Sequence, residues 1–352
     1  MTRRACLCLS FLIPLLCAVA AAGQQASPAL KDRPAEPPSS PAIQLSVVVS
    51  PQSGAPVPGL EQKDFTILVN KKPQAITSFR AMNGTQEPVE IILMIDSVNS
   101  TFQSVAQARP QIDNFLRANN GHLKYPTALA TFSDKGIQIQ NGFTADGNAL
   151  APTVDTFATG LHTIIRSMGL YGEVQRFQQS IQAFGQVVAY ASTRPGRKII
   201  LWISSGWPLL GEAGVQLQGG QQAALFNQIV SISTMLRESD ITIYSLNSLG
   251  SGEGLGETFH YQDFLKGVAK PNDAASGNLG LQVIATQSGG LVLNSRDISG
   301  LLDHCISDAG AYYQMSFEPP PVDRKNVYHR LEIKIARAGL IARTSSGYYS
   351  QP

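Results

Sequence analysis

Cysteine is the scarcest informative residue in this chain. There are four in 352 residues, and Cys6, Cys8 and Cys17 all fall within the first 22 positions. Those positions read as a secretory signal peptide: Arg3 and Arg4, an apolar run through Val19, then an Ala20-x-Ala22 cleavage site. The apolar run is too short for a confident membrane span, and Leu16 before Cys17 argues against lipid anchoring. After cleavage only Cys305 remains, so no intramolecular disulfide is expected despite the oxidising destination. Charge is also scarce, at 15%. The 27 Lys and Arg, less Arg3 and Arg4, leave 25 against 25 Asp and Glu. A neutral chain without a basic run excludes nucleic acid and anionic membrane as obvious partners. No membrane span is expected in the mature protein, and its destination is secreted or periplasmic. His122, His162, His260, His304 and His329 are scattered, with no i, i+4 pair and no Cys pair nearby, which argues against a zinc site.

What is present is apolar: 43% hydrophobic residues, enough for one large domain with an elaboration, or for two. Residues 23–42 are rich in Pro, Ala and Ser and form a tether that cannot bury a core. From 43 to 82 the pattern is β. Leu45, Val47 and Val49 alternate, then Phe65, Ile67 and Val69, then Ile76 to Phe79. Residues 87–310 alternate strands with helices, and 311–352 are β again. Buried strands are expected at Val89–Ile95, Thr127–Phe132, Lys198–Ser204, Ile241–Leu246 and Leu291–Leu293, with an edge strand at Gly136–Phe143. Helices are expected after Thr101 (Phe102, Val105, Ile112, Phe115 and Leu116 on one side), weakly over 148–161, then over Tyr171–Tyr190, 220–238 (Leu225, Ile229, Ile232 and Met235 inward), 279–288 and Asp297–Asp308. The expected fold is α/β, a doubly wound and mostly parallel sheet covered on both faces. It would be inserted into a small β-sandwich whose halves come from the two ends, because neither end can cover its own apolar face.

The run VEIILMID ends on Asp96, followed by Ser97, Asn99, Ser100 and Thr101. Ligands of open α/β sheets sit at the carboxyl ends of strands, so these side chains occupy the expected site. Capping of the next helix is the bland use of the same residues. Ser204 ends the strand KIILWIS, Ser205 and Trp207 follow it in the turn SSGWP, and all three are expected beside Asp96 at the cleft. Trp207 is equally readable as an exposed binding anchor or as loop packing, while Trp202 reads as core. Gly250, Gly252, Gly254 and Gly256 lack the GxGxxG spacing, and Glu253 and Glu257 would repel a pyrophosphate. Ser204 and Ser205 lack a GxSxG elbow. His304 and Asp308 beside Cys305 fit helix packing better than Cys–His chemistry.

Five segments in order, GAPVPGLEQKDFTILVNKKPQAI, IDSVNST, PGRKIILWISSGWP, YYQMSFEPP and LIARTSSGYY, resemble von Willebrand factor A domain proteins of the acidobacterial type. The resemblance covers 43–350. It implies a doubly wound sheet with a cation site on its upper edge, where a DxSxS loop, a Thr and a second Asp hold a divalent ion. Asp96 and Ser100 match that pattern. Val98 stands in place of the intermediate Ser, Ser205 in place of the second Asp, and Thr163 and Ser167 are only near the Thr position. With one carboxylate instead of two, no tightly held cofactor is expected, and Mg²⁺ binding should be weak or absent. The preferred function is a non-catalytic module that binds a protein or cell-surface ligand at this cleft with a degenerate adhesion site. The rivals are a hydrolase using Ser or Cys305, and a structural envelope protein with a vestigial site.

Overall fold

The computed structural model describes residues 41–83, 87–159, 169–208, 219–248, 260–322 and 324–351. The signal segment, Thr163, Ser167 and the Gly250–Gly256 loop lie outside them. In chain order the β-strands begin with β1 (Ile43–Pro51), β2 (Phe65–Val69), β3 (Lys72–Gln74), β4 (Ser78–Met82) and β5 (Val89–Asp96). Helix α1 (Phe102–Arg117) leads to β6 (His122–Ser133), β7 (Gly136–Ile139) and β8 (Thr144–Asp146). Next come α2 (Gly147–Thr159), α3 (Gly169–Ser192), β9 (Arg197–Ile203), α4 (Gly219–Glu238) and β10 (Ile241–Asn247). The chain closes with α5 (Leu281–Gln287), β11 (Val292–Asn294), α6 (Ile298–Ser307), β12 (Tyr312–Phe317), β13 (Tyr328–Ile335), β14 (Leu340–Arg343) and β15 (Gly347–Tyr349).

The central sheet runs β11-β10-β9-β5-β6-β7, with β8 also on β6. Its β5, β6, β9, β10 and β11 pair in parallel, whereas β7 pairs antiparallel with β6. Every residue of β5 is buried, because the two pleat faces meet separate layers of helix. Val89, Ile91, Leu93 and Ile95 pack with Ala108, Ile112 and Leu116 of α1 and with Ile298 and Leu302 of α6. Ile92 and Met94 pack with Phe184, Val187 and Val188 of α3 and with Leu281 and Ile284 of α5. That is why this strand reads as continuous apolar sequence.

The remaining strands form two antiparallel sheets, β14-β1-β12-β4 and β15-β13-β2-β3. Between them Leu45, Val47, Val49, Phe65, Ile67, Tyr313, Met315, Phe317, Leu331 and Ile333 share one core. Both ends of the chain contribute to each sheet, as expected for an α/β unit inserted into a sandwich. The outer face of the first sheet rests on the α/β unit. Val48 joins the core that contains Ile91 and Cys305, and Ser46 Oγ donates to Asp240 Oδ2 at 3.0 Å.

Two helical faces differ from the expected ones. Phe102, in the first turn of α1, is 56% exposed, and Ala108 fills the buried stripe instead. In α4, Met235 faces outward while Phe226, Ile229, Val230 and Leu236 are buried. Helix α4 borders two bodies: Leu236 joins the sheet core and Phe226 meets Tyr349 of β15 at 6.0 Å. A single stripe drawn from periodicity cannot anticipate a helix with two buried contacts.

Candidate functional site

Strand β5 is followed by a crossover to β6 on one side, and β9 lies on its other side. The order of the sheet therefore reverses between β5 and β9, and a crevice at such a switch point, beyond the carboxyl ends of the strands, is the usual ligand position. Asp96 ends β5 there, and Ser204 and Ser205 follow β9. The structure thus brings Asp96, Asn99, Ser204, Ser205 and Trp207 to one sheet edge.

Asp96 is fully buried, and both of its carboxylate oxygens are engaged. Oδ1 accepts from the Asn99 backbone N–H at 3.0 Å, while Oδ2 accepts from Asn99 Nδ2 at 2.8 Å and from Trp202 Nε1 at 3.0 Å. Burial raises the carboxyl pKa, opposed by the hydrogen bonds from Asn99, Trp202 and Ser204. Among the described residues these hydrogen-bond donors include no Lys or Arg. Asn99 Nδ2 also reaches Ser180 Oγ on α3 at 2.8 Å. The donors seen around the carboxylate are thus neutral ones.

The other side chains divide between site and scaffold. Ser97 Oγ donates to the Phe132 carbonyl at 2.9 Å, tying the loop to β6. Thr101 is the N-cap of α1, with its Oγ1 accepting from Ser104 N and Ser104 Oγ accepting from Thr101 N. It is exposed, whereas Ser100 is buried. Ser204 Oγ accepts from Gly206 N at 3.1 Å. Gly206 has φ +105, and a Cβ there would meet Gln282 Nε2 at 2.1 Å, so glycine is required at this turn.

Trp207 is not an exposed contact: it is 3% exposed. Its ring meets Trp202 edge-on at 5.2 Å and Phe184 at 5.8 Å. Short sequence spacing showed that the SSGWP turn stands near Asp96, but only packing against α3 decides that the indole turns inward. Trp202 is core, as expected, yet its indole N–H is also the polar partner of Asp96. Ser180 and Gln282 carried no sequence signal, because each comes from a helix distant in the chain. Asn99 Oδ1, Ser205 Oγ, Trp207 Nε1 and Gln282 Oε1 are buried here with no hydrogen-bond partner.

The described residues at this edge do not fit a divalent cation. Mg²⁺ demands near-octahedral oxygen coordination with carboxylate support. Here the single carboxylate already accepts on both oxygens, and Val98 is part of the apolar core. Among the described residues no cluster of three His, Cys, Asp or Glu could hold a metal. Among the described residues no Ser or Cys nucleophile is paired with a His ring. Cys305 is buried, and burial pushes its thiol well up from its ordinary value.

No protein-family model matches the chain, and no curated protein matches it. Solved structures with similar folds include the TFIIH p34 N-terminal domain, at 13% identity and TM-score 0.27 over 62% of this chain and 96% of that one. They also include the manganese-loaded Plasmodium vivax TRAP protein, at 8% identity and TM-score 0.34 over 76% and 96%. A third is the pilus adhesin SpaC of Lactobacillus rhamnosus GG, at 9% identity and TM-score 0.36 over 82% of this chain and 49% of that one. Likenesses this low transfer no ligand and no partner; the fold is a doubly wound α/β sheet joined to a β-sandwich.

Proposed function

We propose that this chain is a secreted or periplasmic, non-catalytic binding module of the von Willebrand factor A type, engaging a protein or cell-surface ligand at the β5–β9 edge without a bound metal. The observation that carries this reading is the group of unpaired polar atoms there: Asn99 Oδ1, Ser205 Oγ, Trp207 Nε1 and Gln282 Oε1. Buried polar groups left unpaired cost about 1–3 kcal/mol each, so a ligand whose docking opens this edge gains by pairing them. Asp96 holds the loops in place and Thr101 supplies an exposed rim. The division at about 82 and 311 between sandwich and α/β unit belongs to the same proposal. So does cleavage after Ala22. No helix among the described residues is long and apolar enough to cross a membrane.

Capture from envelope extract with the full chain, in Mg²⁺, in Mn²⁺ and in chelator, tests the reading. The same partner should bind in all three conditions and be lost on Thr101→Arg, which blocks the rim, but be kept on Thr101→Ala, which removes the same cap to Ser104 without adding bulk. Binding that requires a divalent ion, or a partner indifferent to Thr101→Arg, would refute the proposed edge. Turnover in a broad hydrolase screen that is lost on Ser204→Ala would support the enzyme instead.

A further inference from the structure

Near the start of β6 and the end of α1, a cavity of about 450 Å³ opens between α1 and α6. The two helices are tied together higher up. There Gln111 Nε2 donates to the Arg296 carbonyl at 2.8 Å, and Ser299 Oγ donates to the Gln111 carbonyl at 3.0 Å. Below that tie they part over the sheet. Alternation along β6 puts Leu123 and Tyr125 on its inner face, and with Ile91 they form the floor. Phe115 of α1 and Ile306 of α6 make the side walls, each only partly buried. Apolar side chains that remain reachable around a hollow of this size are the usual lining of a small-molecule site.

Two charges of opposite sign stand on the rim, Asp303 on α6 and Lys124 on β6, and both residues are exposed. Among the described residues neither forms an ion pair, with the other or with a third group. Lys124 Nζ lies 5.5 Å from the centre of the Tyr125 ring. A Cβ on Gly310 would meet that Nζ at 3.5 Å, which places the ammonium just past the end of α6. Asp303 lies one turn before Ser307, the last residue of α6. With the turn on to Gly310, the two charges stand on the order of 6–10 Å apart along the groove. Burial, and after it the charge on Asp297, push the Asp303 carboxyl up from its ordinary value. An apolar groove with an unpaired anion towards one end and an unpaired cation towards the other is complementary to a molecule that carries the reverse charges.

We propose that this groove binds a linear ω-amino carboxylate, with its ammonium on Asp303, its carboxylate on Lys124 and its methylene chain between Phe115 and Ile306. Five methylenes in extended form hold the two end groups about 7–8 Å apart, which matches the groove. Burial of the chain supplies most of the affinity, while the two rim pairs, being exposed, supply the choice among ligands.

Calorimetric titration of the full chain with 6-aminohexanoate, its carboxamide, its N-acetyl derivative and glycine tests this. 6-Aminohexanoate should bind saturably. The carboxamide and the N-acetyl derivative each lose one charge and should bind about three- to fivefold more weakly, the scale of one exposed ion pair. Glycine, whose charges cannot reach both ends, should not bind measurably. Asp303→Asn should erase the preference for the free ammonium yet keep the preference for carboxylate over carboxamide. Lys124→Gln should do the reverse. Both side chains are exposed and unpaired, so both variants should keep the wild-type melting temperature. No saturable binding of 6-aminohexanoate, equal binding of the parent and its two charge-blocked forms, or the wild-type ranking of ligands in both variants would each overturn the proposal.

Discussion

Two buried carboxylates sit at opposite ends of the parallel sheet and are neutralised in different ways. Asp96, at the carboxyl end of β5, is surrounded by neutral donors: Asn99, Trp202 and Ser204. Asp308, at the far end, receives a hydrogen bond from Arg343 Nη2 at 2.7 Å and another from Tyr244 Oη at 2.6 Å. Arg197 completes that end, with Nη1 donating to the Asp308 carbonyl at 2.9 Å and its guanidinium over the Tyr312 ring at 4.4 Å. Arg343 belongs to β14 and Tyr312 to β12, so the charged end is also where sandwich and α/β unit meet. A full ion pair joins two pieces of structure. The polar network at the other end orders loops without committing a counter-charge. One end behaves as a joint; the other is the edge where the binding surface is proposed.

The largest expected effect comes from breaking the joint. Asp308→Ala leaves Arg343 without its counter-ion and Tyr244 Oη without an acceptor in a buried setting. The expected loss is about 3–5 kcal/mol in urea unfolding. A loss below about 1 kcal/mol, the range of surface pairs, would remove the distinction between the two ends.

The Asp96 end should respond less, and in a different way. Asp96→Ala orphans Trp202 Nε1 and the Asn99 donors, with an expected cost of about 1–3 kcal/mol. Because burial raises the folded-state pKa of Asp96, the wild type is favoured while this carboxyl is protonated in both states. Stability then falls as pH rises from the unfolded carboxyl pKa through the raised folded one. Asp96→Asn should flatten that part of the pH–stability curve, read by thermal melts across the acidic range. An unchanged curve would mean that Asp96 does not titrate as its surroundings dictate.

The smallest effect sharpens the metal question. Val98→Ser with Ser205→Asp restores two oxygens, but Asp96 Oδ2 still accepts from Trp202 and Asn99. Only weak Mg²⁺ binding should appear. Adding Trp202→Phe removes one of those donors and should strengthen it several-fold in calorimetric titration, while Asp96→Ala in the same background abolishes it. Tight Mg²⁺ binding by the wild type would show that the hydrogen bonds around Asp96 yield readily to a cation.

The alternation of strands and helices, the all-buried run at β5 and the position of Asp96 at its end were legible in the residues, because pleat and helix periods are local properties of the chain. So was the dependence of the two β ends on each other, since each carries an apolar face it cannot cover alone. The sandwich register is not local: Ile67 pairs with Ile333 and Leu45 with Met315 across hundreds of residues. Nor is the fate of a polar or aromatic side chain in a loop. Trp207 turns inward because Phe184 and Trp202 offer a face to it. The carboxylate of Asp96 is occupied because Trp202, which reads as plain core, aims its N–H there. Spacing along the chain places side chains on an element, but which atoms face one another is decided when separately specified surfaces pack.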